Sequence, residues 1–248
     1  MSLDLHSHEP DTAVFHSSSF ELSEVTGSTA TWWSRPKVAG PEHMFRYRVV
    51  KRGLDLVLAI GVGLLLLPVL CAIVVAIWLS SPGPILFSHR RIRRHGEFFT
   101  MWKFRTMCIN SGEVLERHLA AHPAAHGEWR RTHKLRDDPR VTRVGRFLRR
   151  TSLDELPQLW NVLNGSMSLV GPRPIVAAEV EKYGEFFQDY CAVKPGVTGL
   201  WQVSGRSELS YPERVELDSR YAKEWSLRKD AKILMRTWTS VVNQDGAY

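Results

Sequence analysis

From Leu56 to Leu79 no side chain is charged, and an uncharged run of that length meets the requirement of about 20 helical residues for the hydrocarbon core of a bilayer. The ends of the run work against a simple crossing. Arg46, Arg48, Lys51 and Arg52 precede it, and Arg90, Arg91, Arg93 and Arg94 follow it. An excess of Lys and Arg marks cytoplasmic flanks, and here both flanks qualify. Pro68 stands at the midpoint, where a proline removes a backbone hydrogen bond and clashes with the preceding turn at a cost of about 3 kcal/mol in a straight helix. Each half then holds roughly 12 residues, or about 18 Å of helix, short of the roughly 30 Å core. Two readings follow. One is a re-entrant helix-break-helix hairpin that dips into one leaflet and leaves both termini in the cytoplasm. The other is a single-pass anchor with a tolerated proline kink. Lys51, Arg52 and Asp55 at the entrance read either as an interfacial anchor, each basic head worth about 1 kcal/mol near an anionic surface, or as a structural pair at a helix start.

The rest of the chain is not that of a polytopic membrane protein. Its 248 residues are 44% apolar and 24% charged, a composition typical of folded, water-facing proteins. A formal charge of +7 points to an anionic partner, whether a phosphorylated substrate, a membrane face or a nucleic acid. Cys71, Cys108 and Cys191 have no CxxC spacing, which argues for neither disulfides nor a zinc cluster and fits a reducing cytosol. Residues 1–44 are rich in Ser, Thr and His without a sustained hydrophobic period, so they read as a poorly ordered tail and not as a signal peptide. His6, His8 and His16 within it are assigned no metal.

Beyond the apolar run the pattern predicts a mixed α/β, mostly helical domain. "FFTMWKFRTM" reads as a strand and "NSGEVLERHLAAH" as a helix opened by Asn110 or Ser111, with further helical pieces broken at Asp138-Pro139 and Thr151-Ser152. In "RVGRFLRR" the apolar Val144, Phe147 and Leu148 share one face and arginines crowd the others, a pattern suited to a membrane interface. "KDAKILMRTWTSVV" is a second amphipathic helix, suited to packing.

Chemistry concentrates in "RRTSLDELPQLWNVLNGSMSLVGPRP". Ser152 and Glu155 have capping-box spacing, and the Asp154-Glu155 pair then stabilises a helix N-terminus. The same pair, with Arg149 and Arg150 before it and Arg173 after it, also has the make-up of a Mg²⁺ and phosphate site. A carboxylate can bind the metal or attack phosphorus, while guanidinium groups clamp phosphate oxygens. Asp137 and Asp138 in "DDPR" read as a turn before a helix. Trp201 either stacks on a base or sugar or fills a core, and Trp160 reads as packing or interfacial.

These stretches, together with "KRGLD", "KFRTM", "KPGVTGLWQVSGR" and "ELDSRYAKEWSLRKDAKIL", resemble the bacterial sugar transferase family of monotopic phosphoglycosyl transferases. Among its members the chain is most similar to short, exopolysaccharide-initiating galactose or glucose phosphotransferases of the inner membrane's cytoplasmic face. The resemblance implies a tail over 1–44, a membrane hairpin over 45–88 and a cytosolic catalytic domain over 89–248. It implies transfer of hexose-1-phosphate from a UDP-hexose to undecaprenyl phosphate with release of UMP. Asp154 would be the nucleophile and Glu155 its dyad partner, with Mg²⁺ at Asp154 and Glu155. Arg149 and Arg173 would bind phosphate, and Gln202 and Arg206 the nucleotide or sugar. The family's hairpin usually breaks at a Ser-Pro pair. Here the pair is Leu67-Pro68, which keeps the proline and loses a capping hydroxyl. Membrane lipids are implied partners, and the sequence is compatible with a homo-oligomer. A nucleic-acid-binding protein is disfavoured, since no helix-turn-helix, zinc spacing or exposed aromatic array is visible. A polysaccharide-assembly scaffold and a glycosyltransferase releasing UDP are the remaining rivals.

Overall fold

The computed structural model describes residue 41 and residues 44–132, 135–205 and 208–242. Most of the tail read over 1–44, with His6, His8 and His16, lies outside the described residues, as does Arg206.

The uncharged run folds as two helices. A π-helical turn over Arg46–Lys51 leads into α1 (Arg52–Leu65), and α2 (Leu67–Ser80) follows after a bend of 62°. The bend centres on Leu66, which leaves helical geometry at φ −89° and ψ 4°. Pro68 falls in the first turn of α2, where its missing N–H would have no intrahelical partner anyway. No single helix among the described residues is long and apolar enough to cross a membrane. Ala59, Ile73 and Ile77 are the apolar side chains that the pair buries. Val57, Leu64, Leu65, Leu67, Trp78 and Leu79 are all more than half exposed, an apolar surface far beyond the scattered residues a water-soluble helix shows.

At the start of the bent helix pair the expected interfacial anchor turns inward. Lys51 is buried, and its Nζ donates to Asp230 Oδ2 at 2.7 Å and to the Val170 carbonyl at 3.0 Å. Arg52 donates to the carbonyls of Val162 and Leu163 at 2.6 and 2.9 Å. Asp55, also buried, accepts from Ser168 Oγ and the Leu169 N–H. The contacts give neither reading as stated: the residues are structural, but they pair with distant parts of the chain and not with one another at the helix start. Their heads are not free for lipid phosphates because each meets polar groups over 100 residues further along the chain. Asp230 also accepts from Tyr221 and Trp225, so Lys51→Met leaves a buried carboxylate without its counter-charge. An expected loss of about 3 kcal/mol should appear as a lower denaturation midpoint in chemical unfolding.

The antiparallel pair β1 (Leu86–Ile92) and β2 (Phe98–Phe104) follows the hairpin, with Phe87 opposite Lys103. Arg105, just past β2, donates to the carbonyls of Ser81 and Pro82 and so fixes the exit of α2. The outer edge of β2 is closed by a side chain rather than a strand. Asn161 accepts from the Trp102 N–H and donates to the Thr100 carbonyl. Helices α3 (Ser111–Ala121), α4 (Pro123–Thr132), α5 (Arg143–Arg150) and α6 (Gln158–Leu163) come next. A short parallel pair, β3 (Ser168–Val170) and β4 (Gly196–Thr198), brackets α7 (Val180–Tyr183) and α8 (Phe187–Cys191). The long helices α9 (Tyr211–Lys223) and α10 (Leu227–Val242) close the described fold. The expected mixed, mostly helical class is what the chain adopts, and among the described residues the sheets are these two small pairs.

Among the described residues the apolar core falls into four clusters, two of which tie the bent helix pair to the domain. Ala59 of α1 packs with Phe99, Met101, Val162 and Met167. Ile73 and Ile77 of α2 pack with Phe104 and Leu148. The other two clusters centre on Tyr221 and Trp225, and on Tyr183 and Tyr190.

Candidate active site

The expected capping box at Ser152 does not form. Ser152 takes the left-handed conformation at φ 56° and makes no capping hydrogen bond. Leu153–Glu155 is a single 3₁₀ turn rather than the start of a long helix. The reason lies across the fold, where Lys103 of β2 donates to Glu155 Oε1 at 2.6 Å and comes within 3.8 Å of Asp154 Oδ2. That bond holds the Glu155 carboxylate toward β2 and away from the Ser152 N–H.

Asp154 is the more enclosed of the pair, its side chain 13% exposed against 25% for Glu155. Burial raises the Asp154 carboxyl above the ordinary range against the pull of Lys103, and the neighbouring Glu155 charge adds to the rise. Glu155 moves the other way. Burial alone would raise it, but the Lys103 and Arg173 charges with hydrogen bonds from Lys103 and Gln158 hold it low. Two adjacent carboxylates are thus pushed apart in acidity by their surroundings, a pattern that marks catalytic pairs.

Arg149 stands on the Asp154 side. Its Nε donates to Thr106 Oγ1 at 2.9 Å, and Asp154 is the first of the carboxylates acting on it. Thr106 is itself held by α5, whose N-cap Thr142 donates its backbone N–H to the Thr106 carbonyl at 3.0 Å. That approach requires Gly145, because a Cβ there would lie 2.0 Å from the Thr106 oxygen. Arg173 stands on the Glu155 side and is exposed. Together with Arg91, Lys103, Glu155, Gln158 and Gln202 it lines a small open cleft.

Of the residues singled out from sequence, Asp154, Glu155, Arg149, Arg173 and Gln202 therefore gather in one neighbourhood. Trp201 is buried, with the Arg214 guanidinium 4.9 Å from its ring centre. Asp138 is engaged by Arg140, which suits the turn reading of "DDPR". Lys103, Gln158 and Arg91 were missed as site residues. Lys103 sits in "KFRTM", but a strand lysine gains meaning only from the partner it meets 52 residues later. As donors, Asp154 and Glu155 suit a hard cation that completes its shell with phosphate and water. No group of three His, Cys, Asp or Glu side chains among the described residues is placed to hold a metal alone.

The model of one family, described as bacterial sugar transferase, matches residues 46–244. The chain belongs to the bacterial sugar transferase family. A sugar transferase of Erwinia amylovora named UDP-galactose-lipid carrier transferase is 51% identical over 201 residues, covering 81% of this chain and 42% of its own length. Exopolysaccharide production protein ExoY of Rhizobium meliloti (strain 1021) is 46% identical over 201 residues, covering 81% of this chain and 88% of its own. The UDP-glucose:undecaprenyl-phosphate glucose-1-phosphate transferase of Escherichia coli (strain K12) is 41% identical over 236 residues, covering 92% of this chain and 47% of its own. This sugar transferase chain thus spans less than half the length of the Erwinia and Escherichia relatives.

Proposed function

We propose that the chain is a phosphoglycosyl transferase that moves galactose- or glucose-1-phosphate from a UDP-hexose to undecaprenyl phosphate and releases UMP, as the first membrane step of exopolysaccharide synthesis. The carrying observation is the Asp154-Glu155 pair, split in acidity, held by Lys103 and flanked by Arg149 and Arg173 on a domain rooted in a bent apolar hairpin. The relatives' names supply the substrates.

In the first displacement an Asp154 Oδ lone pair forms a bond to the sugar-bearing phosphorus. The bond from that phosphorus to the bridging oxygen breaks, and its electron pair leaves on UMP. A phosphate oxygen of the lipid then attacks the aspartyl phosphosugar, freeing the Asp154 carboxylate and forming the lipid-linked diphosphate. Splitting the transfer lets a soluble donor depart before a lipid acceptor enters. Arg149 and Arg173 bind the oxygens that carry charge in both transition states. Asp154 and Glu155 would hold Mg²⁺, which supplies charge neutralisation on those oxygens.

The hairpin would enter one leaflet from the cytoplasmic face of a bacterial inner membrane. Support for this comes from the exposed apolar surface around the 62° bend and from Phe147 of α5 and Trp160 of α6, both at least half exposed on helices that contact the bent pair.

Purified protein with Mg²⁺, undecaprenyl phosphate and UDP-galactose or UDP-glucose, assayed separately for UMP and UDP, tests the reading. UMP with a lipid-linked sugar diphosphate is expected. UDP would instead make the chain a glycosyl transferase, and turnover of neither donor would leave the scaffold role.

A further inference from the structure

Arg91 enters the cleft from β1, the wall that the sequence motifs left unassigned. Its Nη1 donates to the Pro174 carbonyl at 3.2 Å and lies 3.8 Å from Glu179 Oε2. Its Nε is buried and has no hydrogen-bond partner among the described residues. The Nε and Nη2 donors of a guanidinium point the same way and form the edge that grips two oxygens of one phosphate at once. In Arg91 the opposite corner is the one fixed to the protein, which turns that edge into the unspent part of the group. A buried donor left in this state costs free energy that a bound acceptor would return.

The position of Arg91 tells which phosphate. Arg91 and Arg173 line the cleft together with Glu155, whereas Arg149 and Asp154 are not among its lining residues. The charges act in the same grouping, Arg173 and Glu155 on Arg91 and Asp154 on Arg149. Arg91 and Arg173 are thus the cations of the Glu155 side of the pair. In-line displacement puts the leaving phosphate opposite the attacking oxygen, so a nucleophile at Asp154 sends it toward that side. The second displacement breaks the bond to Asp154, so its in-line nucleophile, the incoming phosphate, must approach from the same place.

We propose that the Nε–Nη2 edge of Arg91, with Arg173, forms one phosphate subsite used twice per turnover, first by the phosphate departing on the nucleoside monophosphate and then by the phosphate monoester of the lipid acceptor. This rests on the transfer reading above. It divides the labour among the arginines: Arg149 holds the phosphoryl group that becomes covalent, and Arg91 holds the one that comes and goes. The burial of Arg91 and the nearness of Arg173 both weaken its hold on a proton, which a phosphate between them would reverse.

Steady-state assays of the full chain with UDP-hexose and undecaprenyl phosphate test the subsite through Arg91→Met and Arg91→Lys. In ping-pong kinetics kcat/KM for each substrate reports its own half-reaction. Arg91→Met should lower kcat/KM for both donor and acceptor by about 10- to 100-fold and weaken product inhibition by UMP to a similar degree. Arg91→Lys keeps the charge without the two-donor edge, stays closer to the native packing and should recover only part of the loss. A loss confined to one substrate, unchanged UMP inhibition in either variant, or full activity in Arg91→Lys would overturn the shared subsite. If the wild-type chain itself released no UMP, the transfer reading would fail rather than the assignment of Arg91.

Discussion

Replacing Asp154 with asparagine is expected to cut UMP release by about 10³-fold or more while making the folded protein more stable at neutral pH. Both effects come from the same burial. An amide cannot displace a phosphate and carry the sugar phosphate as an acyl phosphate, so the first half-reaction loses its nucleophile. The stability effect follows from the raised acidity constant of the native carboxyl. A carboxyl whose folded value exceeds its unfolded value costs stability once it ionises, fully so above the folded value. The cost fades as pH falls through that value toward the unfolded one. Asparagine carries no such cost, so Asp154→Asn should melt higher than the wild type near pH 8, with the gap closing toward pH 4. The wild-type rate should fall on acidification at a higher pH than an ordinary aspartate would produce. Thermal unfolding across pH, beside the UMP assay, checks both. Loss of activity together with lower stability at pH 8 would mean that Asp154 acts as a packing element.

The places where sequence reasoning reached the structure share one property, which is that their cause is local. Pro68 breaks the apolar run because a proline acts on its own turn, and the bend is found at Leu66, two residues before it. Asp138 forms its turn with Arg140, two residues away. The failures depend on distant partners. Ser152 and Glu155 have the spacing of a capping box, but an ammonium on β2 holds the carboxylate away from the Ser152 N–H. Lys51, Arg52 and Asp55 look like an interfacial cluster because basic residues beside an apolar run usually are one. Only the fold reveals that β3, α6 and α10 claim all three. The acidic and arginine residues of the site were legible as types in a pattern, while Lys103 and Arg91 lie on strands whose periodicity says nothing of what they meet.

Lys103 carries the second large expected effect, and it separates geometry from charge. Lys103→Met keeps most of the side chain's length and apolar stem while removing the group that touches Glu155 and approaches Asp154. Two carboxylates on adjacent residues would then face each other with only the arginines to balance them. Like charges at this range disfavour joint ionisation, so the acidities of both should weaken. The acid limb of the pH–rate profile should move to higher pH, and turnover at neutral pH should fall by about 10²-fold. Stability follows with the opposite sign from Asp154→Asn. In the wild type, Glu155 is held below its usual value and favours folding above its unfolded value, a contribution lost only as pH falls through the depressed one. Without Lys103 that contribution disappears and the folded value rises above the unfolded one, so the variant should lose stability as pH increases through it. Melting temperatures of Lys103→Met relative to wild type should therefore be closest near pH 4 and furthest apart near pH 8. A uniform loss at every pH would identify Lys103 as packing. If instead the rate fell with no movement of the acid limb, Lys103 would act on bound substrate and not on the acidity of the pair.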